Sequence, residues 1–179
     1  MGLDMYLEAR KYVTRVDWAK VPRRKEGDPP INPKDYLTPD YERLTEFFPA
    51  ELIKHSESGS HVAINIGYWR KANQIHGWFV DNVQGGEDNC QEYLVERSNL
   101  EELLELVTEV LDSNRENSFV AKERLPVRGG FFFGNYDEDE GYDEWYYEQL
   151  EYTKTLLTDI LNAIPENEHK YDIYYSSSW

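Results

Sequence analysis

One cysteine in 179 residues, Cys90, leaves no partner for an internal disulfide. Packing and hydrogen bonding must hold the chain instead. Long apolar runs are missing as well. No stretch of eighteen apolar residues exists, so a membrane-spanning helix is not expected. The opening Met1-Gly2-Leu3-Asp4-Met5 has no basic region ahead of an apolar core, so a secretory leader is not expected there. Positive charge is scarce after the first fifth of the chain. Residues 1–35 carry eight Lys/Arg against six Asp/Glu, the rest eleven against twenty-nine, and the net is −16. Duplex nucleic acid needs a basic footprint, and this chain does not offer one. An acidic surface of this kind is either a solvated face or an imitation of nucleic acid toward a basic protein. Catalytic signatures are lacking too. There is no glycine-rich phosphate loop, no G-x-S-x-G turn and no H-x-E pattern. His55, His61, His76 and His169 show no zinc spacing, so neither metal nor cofactor is expected.

What the chain does have is aromatic mass. Tyrosine occurs 14 times and tryptophan five, an aromatic load that a disordered chain would not carry. The expectation is one soluble, cytoplasmic domain over residues 1–179.

Taken in order, Leu3-Asp4-Met5-Tyr6-Leu7-Glu8-Ala9 alternates apolar and polar and predicts a half-buried strand, extending toward Val13. Residues 17–37 gather Pro22, Pro29, Pro30 and Pro33 with the basic triplet Arg23-Arg24-Lys25, which predicts an irregular exposed loop. Thr38-Pro39 looks like a helix start, with Thr38 as cap and Pro39 in the first helical position. His61 to Ile66 is a short apolar run, read as an inner strand, and Gly67 would let the chain turn sharply.

Tyr68 to Val83 reads as the central amphipathic helix. At 100° per residue Tyr68, Ala72, Ile75, His76, Phe79 and Val83 share a face, with Trp69 and Val80 at its edge. Gln91 to Glu96 reads as a strand with Cys90 at its edge. No cation or histidine lies close in sequence to activate that thiol, so it is read as structural. Ser98-Asn99-Leu100-Glu101 is a capping box ahead of a helix that buries Leu100, Leu103, Leu104, Val107, Val110 and Leu111. A glycine-bounded strand is expected over 128–134, followed by a carboxylate-rich turn to Gly141. Asp137, Asp139 and Asp143 there resemble a calcium loop, but the glycine is one position early, which leaves an acidic loop ahead of a helix. That helix runs from about Asp143 to Ile164, and Tyr171 to Ser177 closes the chain as a strand. The fold class is α+β (or α/β): two layers, about five strands, three main helices packed on the sheet.

Two features of the central helix break local rules, and such positions are where function is sought. His76 sits inside the apolar face, and Arg70 and Lys71 occupy the first turn, where the dipole disfavours cations. Free N–H groups there, the charge of Arg70 and Lys71, a stacking face on Trp69 and the amide of Asn73 would suit a nucleotide or another small anionic ligand. Arg128-Gly129-Gly130 would add a second cationic turn. The competing reading pairs Arg70 and Lys71 with surface carboxylates and makes His76 a hydrogen-bonded core residue.

Several strings taken together resemble a family of small phage and prophage proteins. They are Met1-Gly2-Leu3-Asp4-Met5-Tyr6-Leu7, the block Tyr68 to Val80, Gly130-Phe131-Phe132-Phe133-Gly134, Tyr142-Asp143-Glu144-Trp145-Tyr146-Tyr147 and Tyr175-Ser176-Ser177-Ser178-Trp179. The resemblance spans most of the chain apart from residues 14–60 and carries no catalytic chemistry. It implies a phage-encoded accessory protein in the host bacterial cytoplasm. There it would bind either a nucleotide immune signal, sequestered as counter-defence, or a basic site on a host nucleic-acid-handling protein.

Overall fold

The structure, a computed structural model, describes residues 2–53, 55–56, 59–113, 115, 118–129, 141–166 and 170–179. Four strands occur among them: β1 (Asp4–Thr14), β2 (Gly59–Arg70), β3 (Tyr93–Val95) and β4 (Asp172–Ser178). They form one antiparallel sheet in the order β2-β1-β4-β3. The helices are α1 (Pro39–Thr45), α2 (Ala50–Ile53), α3 (Asn73–Asn82), α4 (Arg97–Asp112), α5 (Phe119–Arg124) and α6 (Glu144–Ala163). The α+β class expected from the alternation of elements is the class observed. These are four of the strands expected; the segment 130–140, with most of the further strand and turn expected there, lies outside the described residues. No helix among the described residues is long and apolar enough to cross a membrane.

The chain divides into two compact units, one of residues 1–9 with 64–179 and one of residues 10–63. The larger has its core on one face of the sheet. Leu3, Met5 and Leu7 alternate inward and are fully buried, as the period of two predicts. From the helices they meet Ile75 and Phe79 of α3, Leu100, Leu103, Val107 and Val110 of α4, and Leu150 and Leu157 of α6. Leu104 and Leu111, expected inside, only pack against this core. Burying each large side chain stabilises the fold by about 1.5–3 kcal/mol. The strand β4 pairs antiparallel with β3, placing Tyr175 opposite Tyr93 and Ile173 opposite Val95.

Helix ends follow local chemistry. Asp143 caps α6, accepting the Tyr146 N–H at 2.9 Å. At the other end Arg97 donates to the carbonyls of Leu161 and Ile164, which the helix leaves unpaired. The cap of α4 is a correction: the helix starts at Arg97, and Glu96 stands where Ser98 was expected. Asn99 reaches back to accept the Glu96 N–H at 3.0 Å, the reciprocal contact of a capping box made two residues earlier.

In the smaller unit Thr38 caps α1 through the Tyr41 N–H at 3.2 Å, with Pro39 in the first helical position, as expected. Tyr41 is buried there, and Lys11 pairs with Asp40 at 3.0 Å. The proline-rich stretch holds one short 3-10 turn, Pro33–Asp35, and is otherwise irregular.

Candidate functional site

The segment expected as one helix is two elements. β2 continues through Tyr68, Trp69 and Arg70, and α3 starts only at Asn73. The side chains settle the period: Tyr68 is 47 % exposed and Trp69 1 %, the reverse of the helical expectation. Gly67 and Trp69 face inward while Tyr68 and Arg70 face out, which is a period of two. The chain reverses not at Gly67 but at Lys71, whose φ of 58° puts a non-glycine residue in the left-handed region. The Lys71 N–H donates to the Leu3 carbonyl at 2.8 Å, so strand pairing holds that residue in place. Gly67 serves packing instead: a Cβ there would lie 2.6 Å from Leu156 Cδ2. The run from His61 to Asn65 lies in β2 but is exposed, contrary to the inner strand expected.

α3 is nevertheless the element around which polar groups gather. Its first eight residues, Asn73 to Val80, are all buried, and they look in three directions.

One side faces the sheet. Phe79 stacks on Tyr175, ring centres 3.9 Å apart and 8° from parallel. Beside them His76 Nδ1 lies 2.7 Å from Tyr175 Oη, and Nε2 lies 3.1 Å from Asp88 Oδ2. Trp179 Nε1–H donates to the other oxygen of Asp88 at 3.0 Å. A carboxylate only accepts, so Nε2 carries the proton and Nδ1 accepts from the Tyr175 hydroxyl. Burial pushes the His76 pKa below its ordinary value and the Asp88 carboxylate only partly offsets this; burial likewise pushes Tyr175 well up. Both groups are therefore neutral near pH 7. Tyr175, His76 and Asp88 stand in line, with the Nε2 contact to Asp88 close in distance but off the hydrogen-bond direction; His76 is 2 % exposed and Tyr175 fully buried. Together they clamp α3, β4 and the Asp88 loop.

A second side carries Asn73, Gly77 and Asp81, four residues apart and thus in one row. All three meet Arg128. Asn73 Oδ1 accepts the Arg128 N–H at 3.2 Å, and the guanidinium makes a two-pronged pair with Asp81. A Cβ on Gly77 would fall 2.5 Å from Arg128 Cδ and Nε. Glycine inside a helix costs about 1 kcal/mol against alanine, and here it admits the arginine. Arg128 and Asn73 do come together, but as donor and acceptor to each other.

The third side carries Trp78 and Asn82. With Glu102, Glu105 and Leu106 of α4 and Glu123 and Arg124 of α5 they line a cleft of about 430 Å³. Arg124 Nε already donates to Glu109 at 2.8 Å. The three cleft glutamates have no ion-pair partner among the described residues.

The six residues singled out in the sequence are thus dispersed. Trp69 is in the core, its indole N–H donating to Thr153 Oγ1 at 2.8 Å, so no stacking face is free. Arg70 and Lys71 are exposed at the end of β2, outside any helix turn. Asn73, His76 and Arg128 are committed to the contacts just described. Sequence reading missed Gly77, Asp81 and Asp88. The spacing Asn73-x3-Gly77-x3-Asp81 was a usable signal for the first two; nothing local marks Asp88. Cys90 is exposed with a φ of 56°. Among the described residues no three His, Cys, Asp or Glu side chains are grouped to hold a metal. The chain matches no family model, no curated protein and no solved structure.

Proposed function

We propose that the protein is a non-catalytic interaction module, a phage-encoded accessory protein of the bacterial cytoplasm whose acidic surface covers a basic site on a host nucleic-acid-handling protein. One observation carries this reading: the outward face of α4. That helix holds Glu101, Glu102, Glu105, Glu109 and Asp112 against the single cation Arg97, and all five carboxylates are exposed. Helix α6 adds Glu144, Glu148, Glu151 and Asp159 against Lys154. Potentials of one sign over such a face steer a basic partner and fix its register. Immobilised protein should retain a host partner at low salt and release it as salt rises. The screening length shrinks from about 10 Å at 0.1 M to 3 Å at 1 M, so release should be steep. Retention that does not change across that range would overturn a charge-driven interface.

The exposure of Arg70 and Lys71 supports a second reading, a binder of a small anionic ligand such as a nucleotide signal. Here Arg70→Ala leaves the unliganded melting point unchanged and abolishes the stabilisation a nucleotide confers. A ligand at a hundredfold excess over Kd contributes roughly 2.7 kcal/mol. A panel of cyclic and linear nucleotides that leaves the wild-type melting curve unmoved removes this reading.

A further inference from the structure

β2 is the last strand in the order of the sheet and has β1 on one side only. The hydrogen bonds around it fix which backbone groups face its open edge. The Lys71 N–H reaches inward to the Leu3 carbonyl, while the Tyr68 N–H reaches outward to Tyr152 Oη at 3.2 Å. Backbone groups alternate in an antiparallel pair, so those of Ile66 and Ile64 face the open edge as Tyr68 does. No strand among the described residues pairs with them there. Edges of this kind are normally guarded by charge, proline or a bulge. Residues 59–69 contain no Asp, Glu, Lys, Arg or Pro, and Ile64 is 63 % exposed. Beside the edge lies a cup of about 330 Å³, lined by Tyr6, Ile66, Tyr68 and Tyr152 among others. The rings of Tyr6 and Tyr68 form one wall, centres 5.5 Å apart.

We infer that this edge pairs with the same edge of a second copy of the chain, antiparallel about a two-fold axis at Asn65. In that register Ile64 of each copy lies opposite Ile66 of the other, and each such pair exchanges both N–H···O bonds. Side chains directly opposite one another share a face of the sheet, so each Ile64 enters the other copy's cup beside Ile66. Asn65, which is exposed, meets its own counterpart on the axis, where an amide offers both donor and acceptor. Tyr68 ends the ladder, because Tyr152 already holds its edge N–H. Charge selects the occupant. Each copy carries −16, so two copies repel wherever carboxylates meet, and β2 is a strip that brings none. A basic partner gains nothing from an edge without acidic groups. Two-fold pairing uses the edge up, which closes the assembly at two copies. The pairing does not depend on what the α4 face binds.

Sedimentation of the whole chain should show monomer giving way to dimer as concentration rises, with nothing larger. Hydrogen exchange on the same samples identifies the surface. The Ile64 and Ile66 amides should slow with concentration, while those of Asn65 and Gly67, which face β1, keep one rate. Asn65→Asp and Asn65→Lys change an exposed side chain and should keep the wild-type melting curve in dilute solution. Each should weaken self-association roughly tenfold or more, because like charges then meet on the axis. An equal mixture of the two variants should regain the dimer, since opposite charges then meet. A chain that stays monomeric at every concentration overturns the proposal, as does a dimer whose Ile64 and Ile66 amides exchange as fast as in the monomer. Weakening by Asn65→Asp with strengthening by Asn65→Lys would report net charge alone and overturns pairing at Asn65. Species larger than the dimer overturn the two-fold closure.

Discussion

Trp69→Ala should lower the free energy of unfolding by about 3–5 kcal/mol, while Arg70→Ala stays within about 0.5 kcal/mol of wild type. The first loses an indole that is 1 % exposed, in ring contact with Phe79 at 6.2 Å and Tyr152 at 6.1 Å. The second loses an exposed side chain at the end of β2. Most of the cost at Trp69 is cavity, because the Thr153 hydroxyl keeps its own bond to the Gln149 carbonyl at 2.7 Å. Trp69→Phe therefore separates the terms: it retains most of the ring volume and forfeits one buried hydrogen bond, about 1 kcal/mol. Urea unfolding of the three variants reads this directly. Comparable losses at positions 69 and 70 would contradict the alternation of β2 and revive a helix over that segment.

That pair of neighbours also shows where sequence reading succeeds and where it stops. Strand β1 was legible because Leu3, Met5 and Leu7 have only one periodic explanation. The same holds for α4 and α6, whose apolar positions recur at helical spacing over four or more turns. The block from Tyr68 to Val83 has two explanations at once. Its second half is helical, and Tyr68 and Ala72 happen to extend the stripe backwards, so the period of 3.6 absorbs three residues that belong to a strand. Lys71 hides the boundary further. A left-handed residue there is held by a tertiary bond to Leu3, and no glycine marks it. Gly67, which does look like a boundary, is needed for the approach of Leu156 instead. His76 is legible as a polar group on an apolar face, and it is buried. Its partners Tyr175 and Asp88 lie 99 and 12 positions away, and no local pattern connects them. Arg128 reads locally as a free cation, but the row Asn73, Gly77 and Asp81 takes it first. The cleft was invisible for the same reason: Trp78, Glu102, Glu105 and Glu123 converge only once three helices have packed.

The His76 clamp makes stability depend on pH with a definite sign. Burial lowers the folded pKa of His76 below its ordinary 6.5, which the unfolded chain retains. Below that value the unfolded state binds more protons than the folded one, so stability falls as pH falls, and above it the contribution is fully present. The slope should approach about 1.4 kcal/mol per pH unit between the unfolded value and the lowered folded one. The groups around the imidazole set the window. Asp88 raises the pKa and Arg128 lowers it, while the Tyr175 hydroxyl on Nδ1 must give up its acceptor once that nitrogen is protonated. His76→Gln should be less stable near pH 8 and should lack the decline from pH 6.5 downward. Carboxylate titration at lower pH is common to all these proteins, so the difference between the wild-type and His76→Gln curves isolates the imidazole. Asp88→Asn removes the one group that raises the pKa, so the decline should extend to lower pH. Trp179 keeps an acceptor in that variant, because the asparagine oxygen can take its indole N–H. Chemical denaturation from pH 8 to pH 5 measures all three curves. Parallel wild-type and His76→Gln profiles would show that His76 enters the folded state as readily charged as neutral, against the burial found for it.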